Sequence, residues 1–214
     1  MRILIQAIAL AVTLNLAWTD AWRGLWGFTV VFGLESVYYT WTMMKRPIAV
    51  TDRLLAWLAS LLIALFPLLI PYVIGPYRAV PWRVGLADIL ITAAVTLEIL
   101  ALLTLRTSFS QIPEARRVVR GGLYRLVRHP LYTAYFLAFA GEAVLVMEPV
   151  MWAAFALFVW LELVRARAEE RLLADTFGDE YADYRQATGM FFPRVFRRKE
   201  GGAPPSRQAP PSAG

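Results

Sequence analysis

"RHPLYTAYFLAFAGEAVLVMEPVMWAAFALFVWLELVRARAEE", residues 128–170, decides what kind of fold this chain can adopt. Two apolar runs, residues 130–147 and 149–164, stand on either side of the step "MEPV", which leaves room only for a short turn. A helix rises about 1.5 Å per residue and a hydrocarbon core is about 30 Å thick, so runs of this kind suit a pair of antiparallel transmembrane helices. Polar clusters close both ends of the pair. "RHP" opens the first arm and "RARAEE" ends the second, which brings both clusters to one surface.

The rest of the 214 residues agrees with this reading. Hydrophobic residues make up 58% and charged residues 18%, with a mean hydropathy of +0.51, outside the range of an ordinary soluble domain. Cysteine is absent and histidine occurs once, so disulfides, cysteine nucleophiles and histidine-rich metal sites are not available and no metal is expected. Neither GxxxxGK[ST] nor GxGxxG occurs. The net charge of +6 comes from arginines beside apolar runs, which fits membrane orientation and gives no reason to expect nucleic acid as a partner.

Four further apolar stretches, residues 3–18, 24–44, 54–74 and 84–105, bring the expected number of spans to six. The first has no cleavage site and reads as a retained helix. The connections around Lys45, Arg46 and Arg53, and from Arg106 to Arg128, are strongly basic, whereas those near Asp20 and Arg78 are not. By the positive-inside bias the basic side and both termini are cytoplasmic. Residues 168–192 alternate charges with Leu172, Leu173, Phe177, Tyr181 and Tyr184, which predicts an amphipathic segment broken or capped at Gly178. Such a segment could also lie on lipid as an interfacial helix. The expected organisation is three N-terminal spans (1–83), a core of three spans plus the amphipathic segment (84–196), and a disordered Pro/Gly/Ser-rich tail (197–214).

Each polar element has an ordinary explanation when taken singly. Arg128 suits an anchor, His129 a helix entry, Pro130 a first helical turn, and Glu169 with Glu170 a solvated face. Together they form one polar pocket at a membrane boundary. Glu35, Glu98 and Glu142 fall inside spans, where an ionisable group is a functional candidate by default and where protonated interhelical hydrogen bonding is the alternative.

The order Gly122-Leu-Tyr124, Arg128-His-Pro-Leu-Tyr132, two apolar runs, Glu169-Glu170, Phe177-Gly-Asp-Glu-Tyr181-Ala-Asp-Tyr184 and Pro193 resembles the isoprenylcysteine carboxyl methyltransferase family, with its bacterial relatives and the phospholipid methyltransferases. The resemblance covers residues 108–193. Relatives often carry glycine two residues after the motif tyrosine; here that residue is Ala134. The apolar runs and the segment after them predict an all-α, multi-pass membrane protein with about six transmembrane helices and a C-terminal amphipathic helix, and an Ala/Arg/Trp-rich chain of this layout points to a bacterial inner membrane. The resemblance implies a cytoplasmic pocket for S-adenosylmethionine around the last hairpin. Cofactor contacts carry over to Val118, Val119, Tyr124, His129, Pro130, Leu131, Tyr132 and Glu169; Arg128, as a cationic donor, and Glu170, the other member of the acidic pair, are further candidates. Arg165 falls on a position the family uses at the substrate, and Glu142 is a further candidate there.

The implied partners are the bilayer and a lipophilic or small-molecule methyl acceptor. A carboxylate attacking a sulfonium needs no base. A thiol near pKa 8.5 must give up its proton at about 2 kcal/mol at pH 7, and an amine near 10.4 at about 4–5 kcal/mol. Carboxylate and thiol acceptors are therefore favoured, and Arg165 could grip a carboxylate bidentately. Alternatives are a phospholipid amine N-methyltransferase, an NADPH-dependent steroid or enone reductase, and a non-catalytic assembly factor.

Overall fold

The computed structural model describes residues 1–22, 26–73 and 80–194; the expected tail lies outside the described residues. Helices dominate: α1 (Arg2–Trp22), α2 (Trp26–Met44), α3 (Leu54–Val73), α4 (Pro81–Leu105), α5 (Pro130–Val146), α6 (Pro149–Phe177) and α7 (Asp179–Ala187). Among the described residues, α4 and α6 are long and apolar enough to cross a membrane, and Arg2–Leu16, Leu54–Phe66 and Pro130–Val146 are shorter apolar helices. Large apolar side chains such as Leu62, Ile89, Leu103, Leu157 and Trp160 are exposed, while Gln6, Thr42, Ser60, Glu98, Glu162 and Arg165 are buried. That arrangement suits helices whose outer surface meets hydrocarbon and whose polar groups must be satisfied internally.

Proline sets three of the helix starts. Pro81, Pro130 and Pro149 each occupy the first turn of α4, α5 and α6, where a missing N–H costs nothing. Only Met147 and Glu148 connect α5 to α6, and Met147 turns the chain in the left-handed conformation. Small residues then set the closest approach in the bundle. Ala87, Ala94 and Ala101 recur every seven residues on α4, and Ala134 and Gly141 do so on α5. A Cβ at Gly141 would lie 2.8 Å from Ile91 Cγ1 and 3.2 Å from the Ala87 carbonyl oxygen, so α4 and α5 pack backbone to backbone there.

The connections meet at one end of the bundle. Two short strands, β1 (Ala49–Val50) and β2 (Glu114–Ala115), pair antiparallel with Ala49 opposite Ala115 and Val50 opposite Glu114. The sequence reading expected no strand; the pairing satisfies loop backbone that apolar surroundings would otherwise leave bare. Arg2 Nε donates to Glu114 Oε1 at 2.5 Å, Arg116 donates to Glu114 Oε2 at 2.7 Å, and the Arg2 guanidinium also reaches the Thr42 and Lys45 carbonyls. The start of α1 is thereby tied to the end of α2 and to the 106–129 connection. Packing also crosses the expected boundary near residue 83, because one apolar cluster holds Ala9, Tyr39 and Ala64 together with Leu102, Tyr124 and Leu131.

The C-terminal region differs from a separate amphipathic segment over 168–192. Helix α6 continues unbroken to Phe177, because residues 166–177 keep a helical pattern with Ala166, Ala168 and Glu170 on the buried face. Gly178 (φ +50°) breaks it, and α7 follows. On α7, Tyr181 and Tyr184 are buried against protein, with the Tyr184 hydroxyl donating to the Tyr124 carbonyl at 2.8 Å. Protein covers that part of the apolar stripe, which rules out lipid for these two rings.

Candidate active site

The site forms where the start of α5 meets the boundary end of α6. A chain reversal after Tyr124 presents residues 126–129 to the segment after α7: Arg128 N–H donates to the Gly189 carbonyl at 2.8 Å and His129 N–H to the Met190 carbonyl at 3.0 Å. Thr133 Oγ1 adds a bond to the Phe191 carbonyl at 3.1 Å, and the Phe191 ring lies against His129 and Phe136. Gly189 is required in this strap, because a Cβ there would fall 1.7 Å from the Phe192 carbonyl oxygen. His129 is thus held by its backbone on one side and by stacking on Tyr132 on the other, at 5.1 Å and 4° between planes.

The two adjacent glutamates do different things. Glu170 is clasped by Arg128, with Nε donating to Oε1 at 2.7 Å, and Arg128 also reaches the Arg185 and Thr188 carbonyls. Burial raises the Glu170 carboxyl, but the approach of His129 and the bond and charge of Arg128 outweigh it and hold the group down to about 2. His129 Nε2 lies 3.4 Å from Glu170 Oε1 but is too poorly aligned for a hydrogen bond. Glu169 faces the other way. Its Oε2 accepts from the Tyr132 hydroxyl at 2.8 Å and lies 4.0 Å from His129 Nδ1.

Arg165 stands one turn before Glu169 and is almost fully buried. Its NH1 reaches both Glu162 oxygens at 3.3 and 3.4 Å, NH2 donates to the Ser110 carbonyl at 2.9 Å, and the guanidinium stacks over the Tyr132 ring at 4.9 Å. Both fork nitrogens are therefore engaged by the protein. Nε is buried without a hydrogen-bond partner.

A small cavity of about 40 Å³ is lined by Tyr124, Arg128, His129, Leu131, Tyr132, Arg165 and Glu169, with Ser108, Ser110 and neighbouring apolar residues. Seven of the expected site residues are thus brought together. Pro130 is buried at the head of α5, and Val119 packs on the apolar cluster around Tyr124 and Leu131. Val118, Val119, Pro130 and Glu170 do not line the cavity. Glu142 lines a different cavity, described below. Sequence reasoning missed Glu162 and Ser110. Glu162 had a signal, an acid one turn before an arginine inside an apolar run. Ser110 had none, because its carbonyl reaches α6 only through the fold.

The donor set suits a ligand carrying both signs of charge. Glu169 offers a carboxylate, His129 Nε2 and Arg165 Nε are buried polar atoms awaiting partners, and Tyr124 and Tyr132 give flat walls. About 40 Å³ is room for little more than one water, so a larger ligand enters only as the lining side chains part.

Apolar helices closed around one charged pocket at a single end define a helical membrane protein with a built polar site. Residues 85–175 match the model of the isoprenylcysteine carboxyl methyltransferase (ICMT) family. A methanethiol S-methyltransferase from a Pseudomonas species is 38% identical over 88 residues, covering 39% of this chain and 32% of that protein. Protein-S-isoprenylcysteine O-methyltransferase B from Arabidopsis thaliana is 32% identical over 101 residues, covering 44% and 51%. A probable protein-S-isoprenylcysteine O-methyltransferase from Oryza sativa subsp. indica is 25% identical over 185 residues, covering 82% and 97%. The chain thus spans between about a third and a half of the first two relatives.

Proposed function

We propose that this chain is an integral-membrane methyltransferase that uses S-adenosylmethionine and methylates a carboxylate or a thiol. The observation that carries the reading is the placement of Glu169, Tyr132, His129 and Arg165 around one pocket at the end of the bundle where the basic connections gather. The apolar runs support six spans, and the basic connections support a cytoplasmic side for both termini and the pocket.

When bound, the cofactor supplies an electrophilic methyl on a sulfonium. Glu169 would meet its cationic end, His129 and Arg128 its carboxylate, and the Tyr124 and Tyr132 rings with Leu131 its flat base. Glu170 acts at one remove, by fixing Arg128. The Phe191 strap over His129 keeps water from the pocket, and low dielectric favours a reaction that removes or disperses charge. Relatives named for a thiol and for a prenylated cysteine carboxyl support both acceptor classes.

Calorimetric titration of S-adenosylmethionine into the purified protein tests the reading. Binding that weakens in Glu169→Gln is expected; no binding to the wild type would overturn it.

A further inference from the structure

A second cavity, of about 170 Å³, lies deeper among the helices. Glu35 of α2, Glu98 of α4 and Glu142 of α5 line it, with Thr13, Tyr39, Tyr135 and Gln111 and apolar side chains. Among the described residues, no lysine, arginine or histidine lines it. Tyr135 donates to Glu35 Oε1 at 2.6 Å, and Glu35 is in turn hydrogen-bonded to Glu98. Tyr39 donates to Gln111 Oε1 at 2.6 Å. Both phenols of the cavity are thus spent on acceptors that line it, while Gln111 Nε2 donates outward to the Ser60 carbonyl at 3.0 Å.

The cavity shares a wall with the polar pocket. Ser110 lines one and Gln111 the other, and Tyr132 and Tyr135, one turn apart on α5, divide in the same way. Arg165 stands at this divide, close enough for its charge to act on Glu35 and Tyr39.

We infer that this cavity is the acceptor chamber and that it takes a small uncharged thiol; the inference rests on the methyl transfer proposed above. Three independent observations select that class. A carboxylate would face three acidic side chains and no base in a medium where like charges repel strongly. It would also find the Arg165 fork already held by Glu162 and Ser110. The space suits a small acceptor, since a comparable cavity of about 150 Å³ admits a molecule the size of benzene. An amine entering here would be held as ammonium by the carboxylates, and an ammonium has no lone pair to attack with. A thiol enters neutral, and its proton needs an acceptor within reach.

The Glu35–Glu98 pair supplies one. Two carboxyl groups in hydrogen-bonding contact share a single proton, which leaves the pair able to take a second. The thiol S–H bond breaks with its proton passing to this pair. Once the side chains between the two spaces part, the sulfur's electrons would form the new S–CH3 bond, and the pair of the broken sulfonium C–S bond would return to the cofactor's sulfur.

The test uses the full chain in lipid nanodiscs without cofactor, with 1-butanethiol and butyrate as probes and calorimetry as readout. Saturable binding of butanethiol and none of butyrate is expected. Ala64→Leu and Ala138→Leu, which fill the cavity, should weaken butanethiol binding at least tenfold while S-adenosylmethionine affinity stays within about twofold, and that second affinity reports that each variant is folded. Glu35→Gln changes no volume and should leave butanethiol bound while lowering transfer to it at least tenfold. Butyrate binding as well as the thiol, or thiol binding unmoved by both fillings, would overturn the chamber. If the wild type binds butanethiol but not S-adenosylmethionine, the chamber stands and the proposed function falls; if it binds the cofactor but not the thiol, the reverse holds.

Discussion

The two polar regions of this protein balance their charges in opposite ways. At the boundary end each of three acids has a basic side chain beside it: Glu170 with Arg128, Glu162 with Arg165, Glu169 within 4.0 Å of His129. In the inner cavity Glu35 is satisfied by a phenol and another carboxyl, and no cation among the described residues lines the space. A neighbourhood of mixed sign can receive a zwitterion. A neighbourhood of acids and phenols admits neutral molecules and turns anions away. The two regions approach each other near Arg165, which lines the first.

The sharpest way to break this contrast is to uncouple Arg165. Glu162→Ala leaves a buried guanidinium without its counter-charge and should lower stability by about 3–5 kcal/mol, read as thermal unfolding in detergent. Replacing both Glu162 and Arg165 by Met should recover much of that loss, which would show that pairing and not packing was removed. Next in size is the division of labour between the adjacent glutamates. Glu169→Gln should weaken S-adenosylmethionine binding roughly tenfold to a hundredfold, equivalent to about 1.5–3 kcal/mol. Glu170→Gln should leave that affinity within a few-fold and lower the unfolding temperature instead. Equal effects on affinity would erase the distinction.

How much of this could be seen in the chain itself follows from which residues lie close in sequence. The six apolar runs before and within the quoted hairpin coincide with α1 to α6 to within a few residues, except that α6 runs on to Phe177. Hydrophobic length says where a span begins but not where a helix stops, since a helix leaving the membrane can continue on charged residues. The boundary pocket was legible because His129, Tyr132, Arg165 and Glu169 fall in two short stretches joined by one hairpin. The inner cavity was legible only as three isolated glutamates. Its walls come from six helices, and no spacing rule relates Glu35 to Glu98 or Gln111 to Tyr39. The tie of Arg2 to Glu114, 112 residues apart, was hidden for the same reason.

Smaller effects sharpen the account of the scaffold. Gly141→Ala forces a methyl between α5 and the Ile91 and Ala87 turn of α4 and should cost about 1–3 kcal/mol, with both cavities shifted only slightly. The Arg128–Glu170 clasp sets a pH dependence. With the Glu170 carboxyl held down from 4.5 to about 2, its contribution is complete above about pH 4.5 and is lost as pH falls through about 2. The difference in unfolding temperature between the wild type and Glu170→Gln should therefore be flat above pH 5 and shrink below pH 4.5. A difference that grows on acidification would contradict the clasp.

The central claim is that this chain moves a methyl group from S-adenosylmethionine to an acceptor at the pocket around Glu169. Incubating labelled S-adenosylmethionine with membranes holding the wild-type chain, with 1-butanethiol added, tests it most directly. Label should appear in a base-stable thioether and fall at least tenfold with Glu169→Gln. Label that never leaves the cofactor above the level of membranes lacking the chain, with either butanethiol or butyrate present, would contradict the account.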